Sequence, residues 1–415
     1  MNTAVSGSKP SDLLPASILG LLGARGPLTR AELASALRVS PASITQASKA
    51  LMAKGMVLEL GQLASGGGRP ARPLSLVGAA GRIVGAKVTA SHLAVVGAKL
   101  DGEVTLTRKV PFDVARADAL DVAARALQDV LAEVDGPVLG VGIAVPGSVD
   151  SVGSGVADSP TIGWRNARVG TVLRQRLGVP VLVENDVNAL AVAEQVYGVG
   201  TRYSTYLVVT IGRGIGCGIV IGGEVFRGAG GGAGEIGHLP VAEDGPPCPY
   251  GHRGCLESLI GSAGLVRRAG ELGLVDGARV EGPDAELEAI RALGDKAERD
   301  PALAEGLFGW AGRLLGSAVA GAVNLLNPET IVLLGEGTAQ WALWEPGFTE
   351  AFRSKLIESR RSVPFLVDPW DEDKWALGAA ALVIASSFDK DGAAGYQGGL
   401  VRERLGAAAS GRRGA

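Results

Sequence analysis

The residues best suited to chemistry are crowded between Gly212 and Glu257. Glu235, Gly237 and His238 form an acid–x–Gly–His box, and the segment closes on Gly254-Cys255-Leu256-Glu257. Cys248 lies between them, and Gly212-Arg213-Gly214 makes a tight turn between two apolar runs. Two carboxylates, an imidazole and two thiols among so many glycines describe a built pocket, because glycine lets backbone approach closely. The rest of the chain must supply either a phosphate donor for this pocket or a reader of DNA.

The elements around it read as alternating strands and helices. Arg82 to Val96 is a strand, a turn and a second strand. Ala115 to Val134 is a helix, and Val138 to Val145 is a buried strand. Val179 to Val183 is a strand that leads into Glu184-Asn185-Asp186-Val187-Asn188 and a further helix. Tyr206 to Ile211 opens a second strand–turn–strand unit. Ala302 to Leu326 is mostly helical, Thr330 to Leu334 is a buried strand, and Trp375 to Ser386 is a closing helix. The strand–glycine turn–strand unit occurs twice, near 83–96 and 206–221, which predicts two similar α/β lobes.

The first 77 residues have a different character. They carry eight Lys and Arg against three acids, on a chain whose formal net charge is −3. Leu13 to Ala24 has helical spacing. Thr29 and Glu32 form a capping box that starts a short helix. Ser40-Pro41 is an N-cap followed by a proline at the first helical position of another helix. Two short helices joined by a tight turn make a helix-turn-helix. On the second of them Ile44, Ala47 and Leu51 form the inward stripe. Ser43, Thr45, Gln46, Ser48 and Lys49 are left for base edges and phosphates. Strands at Met56–Leu60 and Pro73–Val77 flank a glycine-rich tip bearing Arg69, a wing suited to phosphate or a minor groove. A basic head on an acidic body is the pattern of a DNA reader joined to a ligand-binding domain.

The bulk numbers set the class. With 415 residues, 47% hydrophobic and 20% charged, the chain can bury a large core in two or three domains. Cys217, Cys248 and Cys255 are an odd count without a disulfide pattern, so reduced thiols and a cytoplasmic location are expected. The N-terminus has no signal-peptide core. The charge-free run Leu314–Pro328 is too short to cross a bilayer, and no membrane partner is expected.

Head and body together resemble the ROK family of repressors, open reading frames and sugar kinases. The resemblance spans roughly residues 12–387 and rests on Glu-x-Gly-His followed by Gly-Cys-x-Glu. It implies an α/β chain in which a winged helix-turn-helix head (12–77) precedes a duplicated ribonuclease H-like, actin-like two-lobed body (78–387). Residues 1–11 and 388–415 are expected to be disordered ends. By the same resemblance Asn185, Asp186, Glu235, His238 and Glu257 hold sugar hydroxyls, with Thr161 a further contact. Asp186 matches the kinase general base. The chemistry suits the residues, since carboxylates and amides take hydroxyls in pairs.

The three turns that face ATP in the family's kinases depart from the family pattern. Lys87-Val-Thr-Ala-Ser91 stands where the kinases have Asp-x-Gly-Gly-Thr, and a lysine cannot ligate Mg²⁺. Arg213 replaces the hydroxyl of the second turn, and Glu336 adds negative charge to the adenosine-side turn. The expected protein is therefore a sugar-responsive repressor without catalysis and without bound ATP, a homodimer or higher homo-oligomer on operator DNA. The alternative is an active sugar kinase that keeps a DNA-binding head. The family's zinc knuckle is matched at His238, Cys248 and Cys255, while its middle cysteine is Tyr250. His252 lies two residues on, as a substitute ligand whose direction the sequence does not give.

Overall fold

The computed structural model describes residues 14, 18–19, 21–22, 26–37, 39–53, 55–61, 72–77, 80–276, 280, 282–371, 373–387 and 392–410. The expectations for 1–11 and for Arg69 lie outside these residues. The chain divides into two compact units, residues 1–202 with 372–415, and residues 203–371.

The first unit begins with the helical segment anticipated at 13–24, whose described residues are helical. Helices Arg30–Leu37 and Pro41–Ala53 follow, and then the antiparallel pair Val57–Glu59 and Leu74–Leu76. The capping box forms as the residue types require: the Thr29 amide donates to Glu32 Oε2 at 2.7 Å, and the Glu32 amide to Thr29 Oγ1 at 3.3 Å. Ser40 Oγ accepts from the Ser43 amide at 3.1 Å and starts the next helix. Gly55, at φ +68°, ends it.

A five-stranded sheet forms the body of this unit, in the order Val181–Asn185, Val138–Val145, Arg82–Val88, His92–Lys99, Val104–Pro111. The first three strands are parallel and the last two are added as antiparallel hairpins. Alternation along the strands separates the two faces. Val84, Ala86, Val141 and Ile143 pack with Leu127 and Leu173 from helices Ala119–Glu133 and Val169–Leu177. On the other face Gly85 and Gly142 receive helix Asp373–Ala385 so closely that an added Cβ would lie 1.9 Å from Ala376 O and 1.7 Å from Ala379 O. The helix expected from Ala115 starts only at Ala119. Asp113 and Arg116 first form a turn, in which Asp113 Oδ1 accepts from the Ala115 amide.

The expectation of a disordered tail is corrected. Gly395–Ser410 is a helix, and Gln397, Val401 and Leu405 form a buried stripe at four-residue spacing. Gln397 Oε1 accepts from the Val181 amide at 3.3 Å, and Arg404 donates to Val138 O at 3.1 Å and Gly178 O at 3.0 Å. The stripe is only three residues long and sits among Gly and Ala, so the composition hides it. A chain ending at residue 392 should lose about 3 kcal/mol of stability to urea from the unburied Val401 and Leu405. An unchanged midpoint would show that the helix contributes nothing.

The second unit repeats the pairing scheme. Tyr206–Ile211 pairs antiparallel with Ile215–Ile221 and parallel with Thr330–Leu334, and Glu224–Val225 and Phe365–Val367 close the edges. The segment 301–326 is a helix with a π turn at Ala304–Gly309. It has the length and composition to cross a membrane, yet most of its apolar window is buried in the fold. Gly312 and Gly316 let helix Trp341–Lys355 pack against it, where any Cβ would strike Trp344 O at 2.3 Å or Phe348 O at 2.4 Å.

Candidate functional site

In the first unit, strand Val181–Asn185 runs directly into helix Asp186–Tyr197, and Asn185 caps that helix. Its Oδ1 accepts from the Asn188 amide at 3.0 Å, and its Nδ2 donates to Gly147 O at 2.8 Å and to Asp186 Oδ1 at 3.2 Å. Asp186 Oδ1 also accepts from the Val187 amide at 2.9 Å. Asp186 Oδ2 is ion-paired with Lys87 Nζ, which comes from the end of strand Arg82–Val88. The Lys87 ammonium is buried and lies 4.6 Å from the centroid of the Trp375 ring. Of the four acceptor positions on the Asp186 carboxylate, three are thus occupied. One remains for a ligand hydroxyl, and a cation already stands beside it. Thr161 is exposed on a turn, and its Oγ1 lies 3.3 Å from Ser159 Oγ. The Ser159 backbone packs against Gly147, the acceptor of Asn185, so Thr161 belongs to the same neighbourhood.

In the second unit the turn Gly212–Gly214 is anchored by Glu257, whose Oε2 accepts from the Ile215 amide at 3.0 Å. The box glycines are there for clearance. A Cβ at Gly237 would strike Ile215 O at 2.3 Å, and one at Gly234, with φ +91°, would strike Cys217 O at 1.8 Å. This brings Glu235 and His238 beside Glu257. His238 Nε2 lies 3.8 Å from Glu235 Oε2, while its Nδ1 lies 3.4 Å from Cys248 Sγ. Arg213 is ion-paired with Asp284. The Glu336 carboxylate covers Gly212, where an added Cβ would meet Oε2 at 2.2 Å. The small cavity beside these turns is lined mainly by apolar residues, among them Ile211, Leu265, Ile290 and Trp344.

The knuckle is tied by short-range backbone bonds. The Cys248 amide donates to His252 O at 2.8 Å, and the Gly251 amide, at φ +91°, to Cys248 O at 2.9 Å. This turn answers the question the sequence left open. His238, Cys248, His252 and Cys255 each offer a ligand atom, all within 4.8 Å of one another. Four S and N donors around one point suit a metal held tetrahedrally, with bonds of about 2.0–2.3 Å and donor-to-donor edges of about 3.3–3.8 Å. Nδ1 of His238 faces the thiols and Nε2 faces Glu235, so a metal on one nitrogen leaves the other for a ligand. Cys217 stands apart in the core, its thiol pushed up to about 12 by burial. The Tyr250 ring packs edge-on against His238, with centroids 4.6 Å apart. Burial raises its phenol pKa, and the charges of Glu235 and Glu257 add to the effect.

On helix Pro41–Ala53, Gln46 and Lys49 are exposed and Ser43 and Thr45 half-buried. Ser48 is not on the outward face. It is fully buried, its Oγ donating to Thr45 O and accepting from Arg30 Nε at 3.2 Å. Arg30 also bridges to Glu59 at 2.7 Å, tying the helix pair to the strand pair. Nothing in the residue pattern signals this role for Arg30.

The sequence model of the ROK family matches residues 84–386. Over 380 residues the chain is 28% identical to the DNA-binding transcriptional dual regulator NagC of Escherichia coli strain K12, covering 89% of this chain and 91% of that one. The same figures hold for the N-acetylglucosamine repressor of Escherichia coli O157:H7. The crystal structure of a ROK family transcriptional regulator, a homologue of the E. coli MLC protein, matches with a TM-score of 0.75. That match covers 96% of this chain and 99% of that one at 24% identity, a likeness of fold. A ROK family glucokinase from Streptomyces griseus, solved with glucose and AMPPNP, matches with a TM-score of 0.62 at 29% identity, over 72% of this chain and 98% of its own.

Proposed function

This chain belongs to the ROK family, matched over residues 84–386, and on that footing we propose that it is a sugar-responsive, DNA-binding transcriptional repressor that senses its sugar without phosphorylating it. The regulator half of the reading is supported by the 28% identity to named regulators across 89% of the chain. The absence of phosphoryl transfer is supported above all by the Lys87–Asp186 ion pair. A kinase needs that carboxylate as base and a metal-binding acid where the lysine stands. The Arg213–Asp284 pair and Glu336 over Gly212 add charge where nucleotide phosphates would have to lie.

In this reading Asn185, Asp186, Glu235, His238 and Glu257, with Thr161, take the sugar hydroxyls. The N-terminal helices and strand pair are a winged helix-turn-helix. Ser43, Thr45, Gln46 and Lys49 face the major groove, and Arg69 extends from the wing. The protein acts as a homodimer in the cytoplasm, and two heads read half-sites about 34–36 Å apart on operator DNA. The sugar controls this by binding one conformer better than the other. Zinc is the metal that a two-thiol, two-imidazole set favours, held by His238, Cys248, His252 and Cys255, where it would stiffen the loop that presents His238.

The test is operator binding with a sugar panel. The wild-type protein should release a fragment of its own promoter region when its sugar is added. Glu235→Ala should bind that fragment within about two-fold of wild type and fail to release it, since one lost carboxylate–hydroxyl pair costs about 1.5–3 kcal/mol of sugar affinity. Loss of DNA binding in that variant would count against the assignment. A coupled assay with ATP and Mg²⁺ addresses the kinase reading, which the glucokinase likeness keeps in view. Turnover above about 1 per second would overturn the sensing reading.

A further inference from the structure

The replacement of a knuckle cysteine by Tyr250 frees position 250 from metal ligation, because His252 completes the ligand group. Tyr250 is left 48% exposed. It is held in place all the same. The His238 ring contacts two others, Tyr250 at 4.6 Å and 62° and His252 at 5.6 Å and 81°. The same imidazole faces Glu235 through Nε2 at 3.8 Å. Glu257 is fixed by the Ile215 amide, which donates to its Oε2 at 3.0 Å. A half-exposed aromatic side chain thus packs on His238, the residue that faces Glu235 in the same unit. A pyranose needs that combination, with acceptors for its ring of hydroxyls and an apolar surface for its C–H face.

We infer that Tyr250 is an effector contact, its ring stacking on the C–H face of the pyranose whose hydroxyls Glu235, His238 and Glu257 hold. The inference rests on the proposed sugar-sensing role and adds a specificity element to it. Sugars with an unbroken C–H face gain from the ring, whereas an axial hydroxyl on that face is disfavoured.

The test is calorimetric titration of the full-length, zinc-loaded protein with N-acetyl-D-glucosamine, D-glucose, D-galactose and D-xylose. Zinc content is measured in parallel by mass spectrometry. Tyr250→Ala should weaken binding of the best sugar about ten-fold with zinc content unchanged, and Tyr250→Phe should stay within about two-fold of wild type. Preference among the four sugars should flatten in the alanine variant. Unchanged affinity in Tyr250→Ala overturns the inference while leaving the sensing role standing. Weaker binding together with lost zinc also overturns it, since the ring would then serve the knuckle. If wild type binds none of the four sugars but releases operator DNA with another class of ligand, the sensing role fails and the inference falls with it.

Discussion

His252→Ala should leave the protein unable to hold zinc. Mass spectrometry should find about one zinc per chain in wild type and a small fraction of that in the variant. The affinity should fall by at least about 100-fold, because one of four ligands is gone from a site whose binding energy is also folding energy. His252→Cys should keep the metal, since a thiolate serves in the same position. Chelator added to wild type should reproduce the alanine phenotype. The sugar response should weaken in both cases, because the His238 ring loses the metal that fixes its Nδ1 side while Glu235 remains only 3.8 Å from its Nε2. Zinc retained in full by His252→Ala would remove His252 from the ligand set. Zinc would then rest on His238, Cys248 and Cys255 with a fourth ligand other than His252.

Lys87→Ala should be among the most destabilising single changes in the body, by about 3–5 kcal/mol in urea. Lys87 is 8% exposed and faces the carboxylate of Asp186. Removing the cation leaves that charge half-buried with only backbone and amide donors on its other oxygen. The double variant Lys87→Met, Asp186→Asn should recover most of the loss, because neither buried charge remains. With the single variants Lys87→Met and Asp186→Asn added, the cycle's coupling energy measures the pair itself. A Lys87→Ala protein within about 1 kcal/mol of wild type would mean that water reaches the carboxylate freely, and the argument against a catalytic base would weaken with it.

Much of this was legible in the residues. The capping box, the Ser40 cap and the two strand–turn–strand units follow from local chemistry, and each formed where residue types placed it. So did the paired position of Asn185 and Asp186 at a strand end, since Asn is a natural cap and the next residue opens the helix. What sequence could not give depended on approach in space. The direction of His252 is set by a backbone reversal at Cys248–Gly251, which residue types do not specify. The partner of Lys87 lies 99 positions away, so residue order alone does not reveal the pair. Ser48 looked outward by its polarity but fills a contact with Arg30. The C-terminal helix was missed because three buried residues among glycines and alanines leave almost no periodic signal.

The Lys87–Asp186 pair also bears on whether the proposed sensing role could be reversed. Restoring an aspartate at position 87 would set a second carboxylate facing Asp186 with no metal to reconcile them. On the proposed reading catalysis would still be missing, because Arg213 and Glu336 would remain in the turns that match the family's phosphate turns. That substitution is therefore expected to cost stability and to return no activity. On the proposed reading no single substitution at position 87 turns the protein into a kinase.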